Sequence, residues 1–276
     1  MSTQAERARA FRALHEREGI FAIPNPWDAG TAKVLASLGF EALATTSAGL
    51  AFALGRPDGA AAVGRDETLA HAAAIVQATP LPVAADLENG FADDPDGCAE
   101  TIRRAAAAGL VGGSIEDATG RADAPIYPFA HAVERVRAAV AAARALPFPF
   151  TLTARAENFL HGRTDLDDTI RRLQAYADAG ADVLFAPGLR TREPIDAVVR
   201  AVSPKPVNAI MGIAGSTLTM AELGELGVKR VSVGSSLARA AYGALFRAGR
   251  ELKEHGTFGY ANDATPYAEL NALFCR

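Results

Sequence analysis

Cysteine is almost absent from this chain: Cys98 and Cys275 are the only two in 276 residues, far apart and without CxxC spacing. Neither a disulfide framework nor a zinc knuckle is supported, and a reducing compartment is the default expectation. Long basic runs are also missing, and the formal net charge is −4. That balance argues against a nucleic-acid groove or an anionic membrane surface and favours a small-molecule partner. No window approaches eighteen uninterrupted apolar residues, and Met1 to Gly19 alternates charge with alanine without an apolar h-region. The expectation is a soluble, cytoplasmic, untargeted protein. A Gly-rich dinucleotide turn is lacking after the first apolar run, where Asn25-Pro-Trp-Asp-Ala-Gly30 stands instead. An open doubly wound sheet is therefore the weaker reading. No linker rich in Pro, Gly or Ser divides the chain, so one domain spanning 1–276 is expected.

What is present is a repeated punctuation. Strand-length apolar runs alternate with alanine-rich helical stretches, and their entry signals are of two kinds. One kind follows Pro-x-Pro, at Pro80/Pro82, Pro147/Pro149 and Pro204/Pro206, where proline suits the first residue of a strand. The other follows a helix that stops at glycine, at Gly39, Gly109, Gly180 and Gly227, where glycine takes a left-handed C-cap. With Ile20-Phe-Ala-Ile-Pro24 in front, these make eight strands, each followed by room for a helix. Eight such units predict an α/β fold of the (β/α)8 TIM barrel type. Helical stretches from Ala238 to Glu254 and from Pro266 to Phe274 extend beyond it as a candidate subunit-docking extension.

Active sites of such barrels lie at the C-terminal strand ends, and those positions are chemically biased here. Strand two closes in Thr45-Thr46-Ser47-Ala48-Gly49, strand three at Asp86 and Glu88, strand four at Glu116 and Asp117, strand five at Arg155 and Glu157, and strand seven at Asn208. Asp86 and Glu88, with Leu87 between them, are expected on one side by strand alternation. Carboxylates gathered at adjacent strand ends suit a hard cation that leaves positions for substrate oxygens: Mg2+, with Mn2+ as the alternative, held by Asp86, Glu88 and Glu116. A guanidinium opposite them, Arg155, suits an anion chelated at a neighbouring carbonyl and an enolate as charge develops. The alternative for Arg155 is a structural pair with Glu157 or Asp117. Asp28 reads as a helix N-cap, Cys98 as a packed thiol, and His161, in an expected loop after strand five, as an ordinary polar loop residue. Glycines in Met211-Gly-Ile-Ala-Gly215 and Val233-Gly234 give a weak phosphate-site signal.

Several motifs in this order resemble the isocitrate lyase and phosphoenolpyruvate mutase superfamily from Phe21 to about Leu245. They are Asn25-Pro-Trp-Asp-Ala, Thr46-Ser-Ala-Gly followed by Leu54-Gly-Arg-Pro-Asp58, Asp86-Leu-Glu-Asn-Gly-Phe, Ile115-Glu-Asp117 and Thr153-Ala-Arg-Ala-Glu157. The resemblance implies a barrel whose last helix swaps between subunits, a homo-oligomer (dimer or dimer-of-dimers tetramer), and Mg2+ chelating a 2-oxo or 2-hydroxy carboxylate. By position, Asp86 matches the main metal-side carboxylate, with Asp58, Glu88 and Glu116 around it through water. Thr46, Ser47, Ala48 and Gly49 match the substrate carboxylate pocket, and Asn208 is taken as a further substrate contact. Arg155 matches the arginine that steadies the oxyanion; with Glu116 and Asp58 it makes up the candidate catalytic set.

The loop after strand four departs from the lyases of this group, which carry Lys-Arg-Cys-Gly-His there. It reads Ala118-Thr-Gly-Arg-Ala-Asp-Ala-Pro-Ile-Tyr127, without that cysteine and without the phosphonomutase Lys-Thr-Asn-Ser. The expected activity is a lyase cleaving a C–C bond of a small 2-oxo or 2-hydroxy (di)carboxylate through a pyruvate-type enolate. Water, Arg121, Asp123 or Tyr127 would manage protons. The alternatives are phosphonopyruvate-type C–P chemistry and a non-catalytic 2-oxo acid binding protein.

Overall fold

Helix-ending glycines and strand-opening prolines set the element boundaries in the computed structural model, which describes residues 2–275. In chain order the first half forms α1 (Gln4–Glu16), β1 (Phe21–Ile23), α2 (Ala29–Ser37), β2 (Leu43–Ala44), α3 (Ser47–Ala53), α4 (Arg65–Ala78), β3 (Val83–Asp86), α5 (Pro95–Ala107) and β4 (Gly112–Glu116). The second half forms α6 (Phe129–Arg144), β5 (Thr151–Arg155), α7 (Leu166–Asp178), β6 (Val183–Phe185), α8 (Arg192–Val202), β7 (Val207–Ile210), α9 (Met220–Glu225), β8 (Arg230–Ser232), α10 (Ser236–His255) and α11 (Tyr267–Phe274). All eight strands are parallel, each pairing with its neighbours in sequence, and β8 pairs with β1. The remaining seam is bridged where the Ala44 N–H donates to the Pro24 carbonyl at 3.1 Å. This is the (β/α)8 barrel that the punctuation predicts.

Gly39, Gly109, Gly180 and Gly227 follow α2, α5, α7 and α9 with φ of 86°, 92°, 103° and 83°. A side chain at these positions would be strained, so each glycine ends its helix and turns the chain into the next strand. Asp28 caps α2 as expected, its carboxylate accepting from the Thr31 N–H at 2.6 Å.

α1 closes the N-terminal mouth, packing Ala8, Phe11 and Leu14 against Phe21, Ile23, Ala84 and Val111. Gly112 makes room for it: a Cβ there would meet Phe11 at 2.9 Å and the Thr151 carbonyl at 2.8 Å. Between sheet and helices, Leu43, Val83, Ile115 and Leu152 pack on Ile75 and Ile102. On the other side Leu184, Val207 and Val231 pack on Leu173, Tyr176 and Val198. Full burial of such side chains stabilises by about 1.5–3 kcal/mol each, which holds the C-terminal strand ends as a rigid rim.

α10 and α11 follow the last strand, as the sequence suggests. Only Ala238 of α10 is buried, while Leu245 and Phe246 are each 65% exposed and Tyr267 of α11 is 84% exposed. Among the described residues no helix is long and apolar enough to cross a membrane.

Candidate active site

Arg155, the last residue of β5, is the hub of the C-terminal mouth. Its Nη1 donates to Asp86 at 2.9 Å, its Nε to Glu157 at 2.7 Å, and its Nη2 lies 3.2 Å from Glu116. The guanidinium is 13% exposed and lies 5.2 Å from the centre of the Phe185 ring. Strand register explains the convergence, because Glu116 and Arg155 are direct neighbours on β4 and β5 and Asp86 ends β3. The expected alternative pair with Asp117 does not form. Asp117 turns away from the mouth and is buried against Tyr176 (2.6 Å) and Arg172 (3.2 Å), while its other oxygen accepts the Glu157 N–H at 2.8 Å. Asp117 thus fixes Glu157, and Glu157 fixes Arg155.

Asp86 is fully engaged. It also accepts the Ser47 N–H at 3.2 Å and the Glu88 N–H at 3.3 Å, and its own N–H donates to Thr45 Oγ1 at 3.1 Å. Thr46 caps α3 by accepting the Gly49 N–H at 3.3 Å. Gly49 has no room for a side chain, since a Cβ would stand 2.5 Å from Thr46 Cγ2 and 2.9 Å from Trp27. Ser47 donates its hydroxyl to Asp58. Two of the three N–H groups from Ser47 to Gly49 are therefore already bonded within the site.

Glu88 corrects the strand-alternation expectation. β3 ends at Asp86, and Glu88 lies beyond it at φ +47°, in a left-handed conformation that costs a non-glycine residue energy and is found where function or packing demands it. The Glu88 carbonyl accepts the Glu116 N–H at 2.9 Å, so the turn is tied to β4. Burial first, and then the charges of Asp86 and Asp58, push the Glu88 carboxyl up to about 7. Burial likewise raises Glu116 and Glu157 against the pull of Arg155, and it raises Asp58 with Asp86 adding to the effect.

The three proposed metal carboxylates do not form a direct cage. Among the described residues no three His, Cys, Asp or Glu side chains stand together so as to hold an ion. The physical reason is Arg155, which lies between Asp86 and Glu116 and bonds to both. The donor set still fits a magnesium ion that takes one or two carboxylates and keeps its waters. It has one engaged aspartate and three carboxylates nearby, Asp58, Glu88 and Glu116, whose proton affinity is raised by burial first and by neighbouring carboxylate charge second.

The model of the phosphoenolpyruvate phosphomutase family matches residues 11–253. The chain belongs to that family. A Burkholderia cenocepacia structure described as a lyase/mutase is 63% identical, with a TM-score of 0.96 over 99% of this chain and 97% of that one. The structure of oxaloacetate acetylhydrolase with its product oxalate is 27% identical, with a TM-score of 0.89 over 99% of this chain and 95% of that one. An oxaloacetate decarboxylase of a Bradyrhizobium species is 29% identical over 91% of this chain and 86% of its own. The isocitrate lyase and phosphoenolpyruvate mutase superfamily of the sequence reading is borne out, and with it an enzyme of the carbon–carbon lyase and mutase kind.

For this phosphomutase-family chain, Asn208 also needs correction. β7 runs on to Ile210, so Asn208 lies inside the barrel rather than at the strand end. It donates to Ser232 Oγ at 3.0 Å and accepts from Arg230 Nε at 2.8 Å. It lines an inner chamber of about 90 Å3 beneath Asp86 and Arg155. After β8 the backbone donors are not free for an anion, because Asn25 Oδ1 accepts the N–H groups of Val233 and Gly234 at 2.9 Å each.

An outer cleft of about 460 Å3 opens above the carboxylates, lined by Glu88, Glu116, Arg65, Asn89, Thr119 and His161 among others. Arg121, Asp123 and Tyr127 do not line it. Arg121 (2.8 Å) and the Tyr127 hydroxyl are both bonded to Asp93, and burial together with that bond pushes the Tyr127 phenol up to about 12. Two positions that hold the loops around the cleft escape the sequence reading. Arg135 of α6 stacks 4.0 Å from the Tyr127 ring centre and donates to the carbonyls of Asn89, Ala92 (3.0 Å) and Glu116 (3.2 Å). Arg65 donates to the carbonyls of Gly90, Phe91 and Gly97. His161, read from the sequence as an ordinary polar loop residue, lines the cleft.

A pH dependence follows from Glu88. Its folded-state affinity for a proton exceeds that of the unfolded chain, so stability is lost as pH rises from about 4.5 through about 7, by up to ~3 kcal/mol. His15, held down at about 3 by burial and by Arg230, acts in the opposite sense below its ordinary value, so the comparison of two proteins is read. In metal-free buffer, Glu88→Gln should gain stability over wild type progressively between about pH 5 and pH 8 in urea denaturation. A constant difference across that range would contradict the assignment.

Proposed function

We propose that this protein is a Mg2+-dependent lyase that cleaves a C–C bond of a small 2-oxo or 2-hydroxy (di)carboxylate and passes through a pyruvate-type enolate. The observation that carries this reading is the Arg155 guanidinium, bonded at once to Asp86, Glu116 and Glu157 at the C-terminal strand ends. Asp86 would hold the metal, with Asp58, Glu88 and Glu116 holding its waters. Bound there, Mg2+, or Mn2+ in its place, would supply chelation of the substrate carboxylate and 2-oxo group and Lewis-acid polarisation of the carbonyl. Ser47 and the start of α3, from Thr46 to Gly49, orient the substrate carboxylate. Arg155 stabilises the oxygen that becomes negative as the bond breaks, and it is already oriented before substrate arrives. Asn208 and Arg230 hold the chamber beneath in shape. The relatives named for oxaloacetate chemistry support the substrate class. The exposed apolar residues of α10 and α11 support a homo-oligomer in which these helices are covered by a neighbouring subunit.

A substrate panel tests the reading. With Mg2+ present, oxaloacetate, substituted malates or methylisocitrate should release pyruvate or its 2-oxo analogue, followed by a coupled NADH assay. EDTA should abolish the signal. If no member of the panel turns over, the lyase reading fails, and phosphorus-NMR detection of products from phosphonopyruvate would move the function to C–P chemistry.

A further inference from the structure

Decarboxylation of a 2-oxo diacid to a pyruvate-type product ends with a proton delivered to the enolate carbon, and the loop where lyases of this group carry their acid has no cysteine here. The polar groups of the outer cleft are mostly committed. Arg65 is bonded to backbone carbonyls, the Thr119 hydroxyl donates to the Ala124 carbonyl at 2.6 Å, and Asp93 is held by Arg121 and Tyr127. Cys98 is wholly buried, and burial pushes its thiol up. His161 remains. It lines the cleft with Glu88 and Glu116, and its side chain has no hydrogen bond among the described residues.

The turn that carries it is well anchored. Residues Asn158–His161 form a 3-10 turn directly after the Arg155–Glu157 segment. Buried Asn158 donates to Asp168 at 2.9 Å, and Phe159 and Leu160 pack against Gly188, where a Cβ would meet Phe159 at 2.9 Å. The Leu160 N–H donates to the Glu157 carbonyl at 3.0 Å. His161 is thus rigidly tied to the segment that holds Arg155, with one side on the cleft and the other exposed to water. A donor that must be reloaded each turnover needs both sides, and histidine is the side chain most often used for such transfer.

We infer that His161 is the catalytic acid that protonates the enolate carbon. This rests on the lyase reading above. In decarboxylation of a 2-oxo diacid, the C3–C4 electron pair becomes the C2–C3 double bond of the enolate as CO2 leaves. The imidazolium then gives its N–H proton to C3, the enolate oxygen returns to a carbonyl, and the neutral imidazole takes a proton from water. No oxidant or co-reactant is needed. In the reverse sense, neutral His161 removes a proton from the methyl group of pyruvate.

That reverse step gives the test. Wild type with Mg2+ in D2O should exchange the methyl protons of pyruvate, followed by proton NMR, and should bind oxalate, a planar mimic of the enolate. His161→Gln should lose exchange by about 10²–10⁴-fold while keeping its oxalate affinity within a factor of about three. Exchange by His161→Gln at the wild-type rate overturns the inference, as does exchange retained there and lost only in Glu88→Gln. Absence of both exchange and metal-dependent oxalate binding in wild type is a different result: it removes the lyase reading itself.

Discussion

Asp86→Asn should bind oxalate no better with Mg2+ than without it, a loss of at least ~100-fold in metal-dependent affinity by comparison with the effect of weaker, outer metal contacts. Asp86 is the one carboxylate that touches both Arg155 and the start of α3, through the Ser47 N–H. Asparagine keeps the shape but removes the charge that a divalent ion requires. The fold should survive, because Arg155 retains Glu116 and Glu157. Calorimetry with oxalate, alongside a thermal melt, separates the two effects. Equal affinity in variant and wild type would remove the basis of the proposed function.

Arg155→Lys should lower kcat by about 10²–10³-fold, the usual consequence of losing one preorganised donor to a developing oxyanion. Lysine keeps the charge but not the fork: one ammonium cannot reproduce the three directions in which Nε, Nη1 and Nη2 meet Glu157, Asp86 and Glu116. Arg155→Met is a harsher change, leaving three partly buried carboxylates without their cation, and should cost about 3–5 kcal/mol of stability. The lysine variant is therefore the informative one. Its melting temperature should stay near that of wild type while turnover falls, and unchanged turnover would show that Arg155 only holds the site together.

Much of the site was readable along the chain. The alternation of Pro-x-Pro with helix-ending glycine marks element boundaries by local conformation. It reaches the structure intact because a φ near +90° at Gly39 or Gly180 depends on little beyond the residue itself. Counting from those boundaries locates Asp86, Glu116 and Arg155 at strand ends. Depth and facing were less accessible. Asn208 and Asp117 carry the same strand-end signature, yet one lies inside the barrel and the other behind it. Glu88 departs from strand alternation because the chain leaves the sheet at Asp86 and turns through a left-handed residue. Arg135 looks like a charge on an amphipathic helix until α6 is laid against the β3 and β4 loops, where three carbonyls need a donor.

By itself, then, the sequence determined the barrel, the end of the barrel that carries the chemistry, and the residue types gathered there. These are consequences of short-range backbone preference and of spacing along single strands. The tertiary structure alone decided that Arg155 bonds three carboxylates at once, that no three-carboxylate cage stands among the described residues, and that His161 lines the cleft while Arg121, Asp123 and Tyr127 of the loop after β4 do not. Each of these depends on how neighbouring strands are staggered around the barrel, a relation between residues far apart in the chain that no local pattern encodes.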